Sequence, residues 1–460
     1  MPVPAVADRF GCIAVLGAGR SGIGAAALAR HLARRVVVLD GAAPDRLAAS
    51  GERLRGLGAE TVFGPAAEAC GEAVDLVVLS PGIDGRERIV RQFSERGVPV
   101  IGEIEFAFRQ FPAPVVAITG TNGKTTTTEM LGEVFRAAGL RVACAGNYGV
   151  PFSEIVLRDE PQDAVALEVS SFQLETIEKF RPKVSVFLNF APDHQDRYAT
   201  LEDYREAKMR IYENQGPDDV AVVQAALRDQ VAPRCRARLV TFGVFEPGDY
   251  DYADGWIRLG GRPVLEFGKT RLRGLHNAEN LMAVLAVAAE WGIGPERVQA
   301  ALASYRPPAH RCEWVGEVAG HECINDSKAT NLHALESSLR GQLEPVVLIA
   351  GGKDKGLDFA EVTGALAGKV THAVLIGETR ERIREAWGGT IPCSLAGTLR
   401  EAVEEALARA RPRQTILFSP GTSSFDMFAN YEDRGDCFRR EVGRLEEGRE
   451  TSAGTSEEFC

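Results

Sequence analysis

Long apolar runs are missing from this sequence of 460 residues. The longest, Ala-rich, covers residues 281–289 and falls well short of the roughly 18 residues a membrane-spanning helix needs. The start, MPVPAVADRF, has neither the basic region nor the apolar region of a secretory signal, so a cytoplasmic location and no membrane partner are expected. Paired cysteines are missing too. The nine present are odd in number and form no CxxC pair, which excludes a disulfide framework and a zinc knuckle and leaves thiols expected to be reduced and mostly buried. Positive charge is in deficit, 53 basic against 64 acidic residues for a net charge of -11, so the chain as a whole repels a phosphate backbone and nucleic acid is not an expected partner. No repeat of 20 to 50 residues is evident, and low complexity is confined to the polar tail at 446–460, which is expected to fray.

What is present is the balance of a globular protein, 45% hydrophobic and 25% charged, with length enough for about three domains. Short β-branched runs alternate with Ala, Leu and Glu-rich stretches: CIAVLGAG, RVVVLD, DLVVLSPG, PVVAITG, AVALEVSS, VSVFLNF, PVVLIAGG, HAVLIG and QTILFSPG. Apolar strands followed by helices predict an α/β fold of parallel sheets covered on both faces, with ligands gathered at the carboxyl ends of the strands. Proline-marked joints at 111–114 (FPAP) and 305–310 (YRPPAH) divide the chain into domains at 1–112, 113–306 and 307–460. Residues 217–275 are less regular and read as a mixed edge to the middle domain.

Three glycine-rich runs follow strands. In GAGRSGIG (17–24), Gly17, Gly19 and Gly22 open a helix and Asp40 ends the next strand, the pattern of a dinucleotide turn. What it specifies physically is a pyrophosphate site, open to a nicotinamide or flavin cofactor or to another diphosphate. In AITGTNGKTTTT (117–128) the first glycine of a strict phosphate-loop pattern is replaced by Ile118. The chemistry is nevertheless the same, with backbone N–H groups and Lys124 around the β- and γ-phosphates and the Thr125 hydroxyl within reach of Mg²⁺. Glu168 interrupts the apolar run AVALEV, where a buried carboxylate needs a compensating cation. The third run, GGKDKG (351–356), is weak in isolation. Along LEDYREAKMRIY, Leu201, Tyr204 and Ile211 mark one helical stripe, and the spacing puts Lys208 on it, against the habit of a surface lysine; on the residues alone this reads either as a stem snorkelling to solvent or as a functional amine.

The runs GTNGKTTT, LEVSSFQLE, DHQDRY, YREAKMRIYEN, GLHNAEN, HRCE, NDSKATN, GGKDKG and SPGTSSFDMFANYEDRG, in this order, resemble the Mur ligases across all three expected domains. The SSFQLE and SPGTSSFDMF signatures are similar to the members that add glutamate to UDP-N-acetylmuramoyl-L-alanine. The resemblance implies a Rossmann-like N-terminal domain for the uridine nucleotide, a central phosphate-loop ATPase-like domain and a C-terminal Rossmann-like domain for the amino acid, working as a monomer. It also turns the first glycine run away from redox cofactors and toward the UDP moiety. Amide bond formation from ATP is implied, through an acyl phosphate and a tetrahedral intermediate.

By the same resemblance, Gly120, Thr121, Asn122, Gly123, Lys124, Thr125 and Thr126 take the ATP phosphates, Asn280 the adenine, and Arg311 and Asp326 the phosphate and ribose. Thr125 and Glu168 hold one Mg²⁺. His194 helps bind a second beside the acyl phosphate, and Lys208 carries a CO₂-derived carbamate that also serves as a ligand. Gly19, Arg20, Ser21, Asp40, Ser80, Pro81, Gly82 and Asn147 line the sugar-nucleotide path. Lys328, Thr330, Lys353, Ser424, Phe425 and Tyr431 surround the carboxylates of glutamate. Rival readings are the same reaction with L-glutamate, another Mur or folylpolyglutamate-type ligase, and a nicotinamide enzyme built on GAGRSGIG, which leaves Lys124, Glu168 and the last domain without a task.

Overall fold

The computed structural model describes residues 9–454 except 159, 194–196, 307, 308, 343 and 355. The chain divides into two compact units, one drawn from residues up to 251, 258–264 and 281–302, the other from 252–257, 265–280 and 303 onward. All nine apolar runs are strands.

The first unit contains one whole sheet and most of a second, whose edge strands are divided between the units. The whole sheet is built from β1 (Phe10–Leu16), β2 (Ala33–Asp40), β3 (Glu60–Phe63), β4 (Leu76–Leu79) and β5 (Val100–Gly102), all parallel in the order β3-β2-β1-β4-β5. Along β1, Ile13 and Val15 enter one core cluster while Cys12, Ala14 and Leu16 enter another. Both faces are therefore covered, which is why the strand reads as an unbroken apolar run rather than an alternating one. Strand order reverses between β1 and β4, the crevice where open α/β sheets take ligands.

The second sheet contains β6 (Val115–Thr119), β7 (Val142–Gly146), β8 (Ala164–Glu168), β9 (Val184–Phe187), β10 (Val220–Gln224), β11 (Arg238–Gly243), β12 (Tyr250–Ala253), β13 (Trp256–Leu259) and β14 (Arg262–Glu266), ordered β14-β13-β12-β11-β10-β9-β6-β8-β7. The irregular stretch supplies the edge strands β12 to β14, as its turn-rich composition predicts. β6 pairs in parallel with β8 and β9, so three strand ends that carry chemistry lie side by side.

The two sheets of this unit are stitched together by the helix Glu103–Phe108. Buried Glu105 accepts the backbone N–H groups of Glu178 (3.0 Å), Lys179 (3.0 Å) and Phe180 (2.8 Å), with Arg109 Nε at 2.6 Å. Glu103 accepts from Ser153 N (2.7 Å) and Oγ, and its burial pushes the carboxyl pKa up. Buried carboxylates held this thoroughly make a stiff joint, because removing one partner strands a desolvated group.

The second unit holds β15 (Glu313–Val318), β16 (His321–Asn325), β17 (Val346–Gly351), β18 (Val370–Ile376), β19 (Cys393–Leu395) and β20 (Ile416–Phe418) in the order β15-β16-β20-β17-β18-β19, parallel except for the β15–β16 pair. Its last helix runs Tyr431–Gly454, through most of the tail expected to fray. Among the described cysteines all thiols are free, but only Cys12 and Cys323 are buried and the other six are half-buried. The expectation of mostly buried thiols is thus corrected: the six are partly exposed although burial raises the pKa of Cys144, Cys235, Cys312, Cys393 and Cys437. Among the described residues no helix is long and apolar enough to cross a membrane.

Candidate active site

At the end of β6 the chain turns through Gly120 and Gly123 into the helix Lys124–Ala137. Gly120 has φ 151°, and a Cβ there would stand 3.1 Å from Leu188 Cβ and 3.3 Å from Asn189 N. The loop is pinned to the end of β9 by Thr121 N to Asn189 O (3.1 Å) and by Asn122 N to Asn189 Oδ1 (2.8 Å). The helix N-terminus brings the positive end of the helix dipole to the loop, the arrangement that suits an anion. Lys124 Nζ folds back to the carbonyls of Gly120 and Thr121, both at 2.9 Å. Thr126 is buried beneath the same turn.

Next to this loop, Glu168 ends β8 opposite Ile118 and is 3% exposed. Thr125 Oγ1 donates to its Oε2 at 2.8 Å and Asn147 Nδ2 to its Oε1 at 2.9 Å. Among the described residues Glu168 has no ion pair, so a buried carboxylate and a hydroxyl converge with only neutral donors to balance the charge. A hard divalent cation suits such an oxygen pair.

Lys208, on the helix Leu201–Met209, is 2% exposed. Its Nζ donates to Gly120 O at 2.9 Å and lies 4.6 Å from the centre of the Tyr204 ring. Burial, reinforced by the charge of Lys124, holds the ammonium well below the usual lysine range, against the opposing pull of Asp193 and Glu168. The helical stripe is inward at Tyr204, Lys208 and Ile211, while Leu201 at the helix start is exposed at 40%. His194 lies outside the described residues.

At the crevice of the first sheet, Gly17 follows β1 and Ser80 follows β4. A Cβ on Gly17 would stand 2.8 Å from Ser80 Oγ, and one on Gly22 would stand 1.8 Å from Gly17 O, so the turn and the helix packed on it require these glycines. Gly19 and Arg20 are exposed at the helix start, Ser21 is half-buried, and Pro81 and Gly82 continue from the end of β4. Asp40 accepts Ala18 N (2.8 Å) and Ala42 N (2.9 Å), holding the glycine turn itself. Arg197 donates to Pro81 O and to Glu175, and stacks over the Phe172 ring at 4.2 Å.

In the second unit the remaining residues, apart from Asn280 and from Arg311 before β15, gather at the carboxyl ends of β16, β20 and β17, adjacent in the sheet. Their loops are laced together by Gly421 N to Ala329 O (2.9 Å), Lys353 N to Ser423 O (2.9 Å) and Gly351 N to Pro420 O (2.9 Å). Lys328 Nζ sits 3.9 Å over the Tyr431 ring, and Thr330 is half-buried on the same loop. Lys353 and Phe425 line an open cleft of about 730 Å³ with Glu378, Arg380 and Asp426. Lys353 pairs with exposed Glu378 at 3.2 Å, Phe425 is exposed, and Ser424 is buried. Asp326 is buried, accepting Cys312 N (3.2 Å) and Ser419 Oγ (2.9 Å); burial drives its carboxyl up to about 6, with Arg311 among the groups opposing the rise. Asn280 donates to Asn277 Oδ1 at 3.2 Å on the first turns of the helix Leu275–Glu290.

Family models match at two places: the Mur ligase middle domain over residues 118–288, and the Mur ligase glutamate ligase domain over 310–421. The UDP-N-acetylmuramoylalanine–D-glutamate ligase of Thermoanaerobacter pseudethanolicus is 39% identical over 446 residues, covering 94% of this chain and 98% of that one. The enzyme of the same name from Geobacter metallireducens is 41% identical over 452 residues, covering 95% and 98%. The chain belongs to the Mur ligase family. Solved Mur ligases share the fold at low identity. The MurF ligase of Thermotoga maritima, in complex with ADP, superposes with a TM-score of 0.58 at 16% identity, covering 90% of this chain and 96% of that one. The UDP-N-acetylmuramate–alanine ligase MurC of the same organism gives 0.56 at 20%, covering 96% and 100%.

Four residues packed against the candidate sites of this Mur ligase were given no role there by the sequence reading. Asn189 and Tyr204 brace the phosphate loop, Tyr204 Oη lying 3.4 Å from Thr121 Oγ1. Ser327 and Arg434 brace the second-unit loops. Asn189 follows a strand end and could have been flagged on that ground. Arg434 lies in the run SPGTSSFDMFANYEDRG that carries the family resemblance, but as one charge in a charged helical run it was given no role of its own.

Proposed function

We propose that this chain joins D-glutamate to UDP-N-acetylmuramoyl-L-alanine at the expense of ATP. The observation that carries the reading is the meeting of the phosphate loop, the Thr125–Glu168 oxygen pair and the buried Lys208 around Gly120, in a chain about 40% identical over nearly its whole length to ligases named for that reaction. We further infer domains at 1–112, 113–306 and 307–460, a monomer, and a cytoplasmic reaction.

In this reading the alanine carboxylate attacks the γ-phosphorus, the bond to ADP breaks, and an acyl phosphate forms. The amine of glutamate then attacks the acyl carbon and gives up a proton, and the tetrahedral intermediate expels phosphate. Two anions must meet in the first step, so the site has to absorb charge. Residues 120–126 cradle the phosphates through backbone N–H groups, and Lys124 swings from its loop carbonyls to the γ-phosphate. Thr125 and Glu168 would hold one Mg²⁺, and His194 with a carbamate on Lys208 a second. Bound there, Mg²⁺ would neutralise phosphate charge. The Lys208 environment supports the carbamate: a desolvated amine keeps the neutral form that adds CO₂, and the product is an anion suited to a cation site.

Asn280 is assigned to the adenine, Arg311 to phosphate and Asp326 to the ribose. Gly19, Arg20, Ser21, Asp40, Ser80, Pro81, Gly82 and Asn147 line the UDP-sugar path. Lys328, Thr330, Lys353, Ser424, Phe425 and Tyr431 receive glutamate, whose two carboxylates call for ammonium and hydroxyl donors.

Phosphate release from ATP with UDP-N-acetylmuramoyl-L-alanine tests the reading, run with D-glutamate, L-glutamate and no amino acid. Turnover with D-glutamate alone is expected. Turnover with L-glutamate alone would keep the chemistry and change the product, and silence in all three arms would overturn the assignment.

A further inference from the structure

Arg434 is the largest charged side chain sealed inside the second unit, 1% exposed on the helix Tyr431–Gly454. Its Nε donates to Ser327 Oγ at 3.0 Å and its Nη2 to Ser327 O at 2.8 Å. The same Ser327 hydroxyl donates to Tyr431 O at 2.8 Å, while Ser327 N donates to Asn325 Oδ1 at 3.2 Å. One serine thus fixes the loop that carries Lys328 and Thr330 against the turn that carries Tyr431. The third nitrogen, Nη1, is buried, has no acceptor among the described residues, and faces Gly352. A Cβ at Gly352 would lie 3.1 Å from Nη1, 2.7 Å from Thr422 Oγ1 and 2.4 Å from Ser423 O, and the residue has φ 151°. Gly352 is followed directly by Lys353, whose own N–H is held by Ser423 O.

The guanidinium therefore hydrogen-bonds the Lys328 loop and faces the Lys353 loop at Gly352. Among the described residues it forms no ion pair with a carboxylate; its acceptors are a carbonyl and a hydroxyl. Asp426 and Asp326 act on it only from farther away, and burial brings its pKa down to about 10, so it stays cationic at neutral pH. A buried cation with neutral partners is an expensive way to hold two loops together, and an apolar side chain would serve stability better. Its use is clear where a dianion has to be received. The fork sets the geometry of the two loops, and a charge with no carboxylate in ion-pair contact among the described residues adds to the field of Lys328 and Lys353.

We propose that Arg434 is a positioning residue for the amino-acid pocket, registering the Lys328 and Lys353 loops through Ser327 and Gly352 and biasing the pocket toward an amino acid with two carboxylates. The inference rests on the glutamate reading above.

The test is steady-state kinetics of Arg434→Lys, Arg434→Met and Ser327→Ala beside the unaltered enzyme, with each substrate varied in turn and thermal unfolding followed in parallel. Lysine keeps the charge without the fork, and methionine keeps neither. The expected result is a glutamate KM raised about 10-fold in Arg434→Lys, about 100-fold in Arg434→Met and about 5-fold in Ser327→Ala. The KM values for ATP and the UDP-sugar stay within about 2-fold, a split that a general loosening of the fold would not produce. Unchanged glutamate KM in the folded variants, or equal rises for all three substrates, would overturn the inference alone. If the arginine variants do not fold, Ser327→Ala decides by the same split. If the unaltered enzyme is silent with glutamate, the functional reading falls and this inference falls with it.

Discussion

The phosphate site and the amino-acid pocket are built on opposite plans. Around Gly120 the functional groups come from neighbouring strand ends of one sheet and from the helix Leu201–Met209, and hold one another: Lys124 on its own loop, Thr125 on Glu168, Lys208 on Gly120 O. Around Gly352 most of the groups expected to meet the ligand are partly exposed, Lys353 against a surface glutamate and Phe425 in the open cleft, Ser424 being the buried exception, while the sealed cation, Arg434, lies beneath. Transferring a phosphoryl group needs donors set in place before charge develops, because reorganising them during the reaction would cost rate. Capturing a small soluble dianion needs accessible cations, so the rigidity moves to the layer under them.

The largest effect that would break this contrast is at Lys208. Lys208→Ala removes the buried amine and with it any carbamate, and kcat should fall by about 10³-fold or more, the scale of losing preorganised charge stabilisation. Short carboxylic acids should restore part of the rate by standing in for the lost anion. No rescue, together with an unmodified Lys208 in the mass of the intact protein, would remove the carbamate from the mechanism.

A second test concerns Asp326. Its folded-state pKa of about 6 stands above the unfolded value, so between about pH 4 and 6 the folded state binds the extra proton. Stability from this group is present at acid pH and is lost as pH rises through that window, amounting to about 2–3 kcal/mol at neutrality. Asp326→Asn should therefore raise stability at pH 7.5 by up to that amount, measured by urea unfolding, and flatten the dependence between pH 4.5 and 7. ATP KM should rise if Asp326 makes the ribose contact proposed for it. Lower stability at pH 7.5 would show that the carboxylate's bonds to Cys312 N and Ser419 outweigh its desolvation.

The smallest effect belongs to the exposed side of the pocket. The Lys353–Glu378 pair is about half exposed on both sides, so Lys353→Ala should change unfolding free energy by less than about 1 kcal/mol. Glutamate KM should nevertheless rise about 10-fold, the worth of one charge-assisted hydrogen bond. A stability loss without a KM change would place Lys353 in the scaffold rather than the pocket.

The phosphate loop was legible because its parts are contiguous: strand, glycines, lysine and threonines occupy a dozen residues, and the local turn alone aims their N–H groups. Glu168 stood out as a lone acid in an apolar strand, and burial bears out the oddity. Lys208 was legible from helical spacing, although Leu201 on the same stripe faces out, since a helix end is less covered than its middle. Arg434 lay inside a run quoted for its resemblance, yet its burial was hidden. In a helix this rich in charge, spacing alone does not tell a surface arginine from one enclosed between two loops. Asp40 was legible as a strand-ending acid, yet its carboxylate holds the glycine turn, a partner that only the folded loop brings near.

By itself the sequence determined the alternation of apolar strands and helices, hence parallel sheets with chemistry at their carboxyl ends, because both faces of such a strand must be covered and its turns need glycine. It determined the phosphate loop and, by resemblance, the family. Only the tertiary structure decided which distant groups meet. Two sheets share one compact unit because Glu103 and Glu105 are buried in the joint and satisfied across it. The amino-acid loops are registered by a guanidinium that their own packing removed from water. Each is a long-range desolvation, and desolvation depends on what the whole fold covers rather than on any residue's neighbours in the chain.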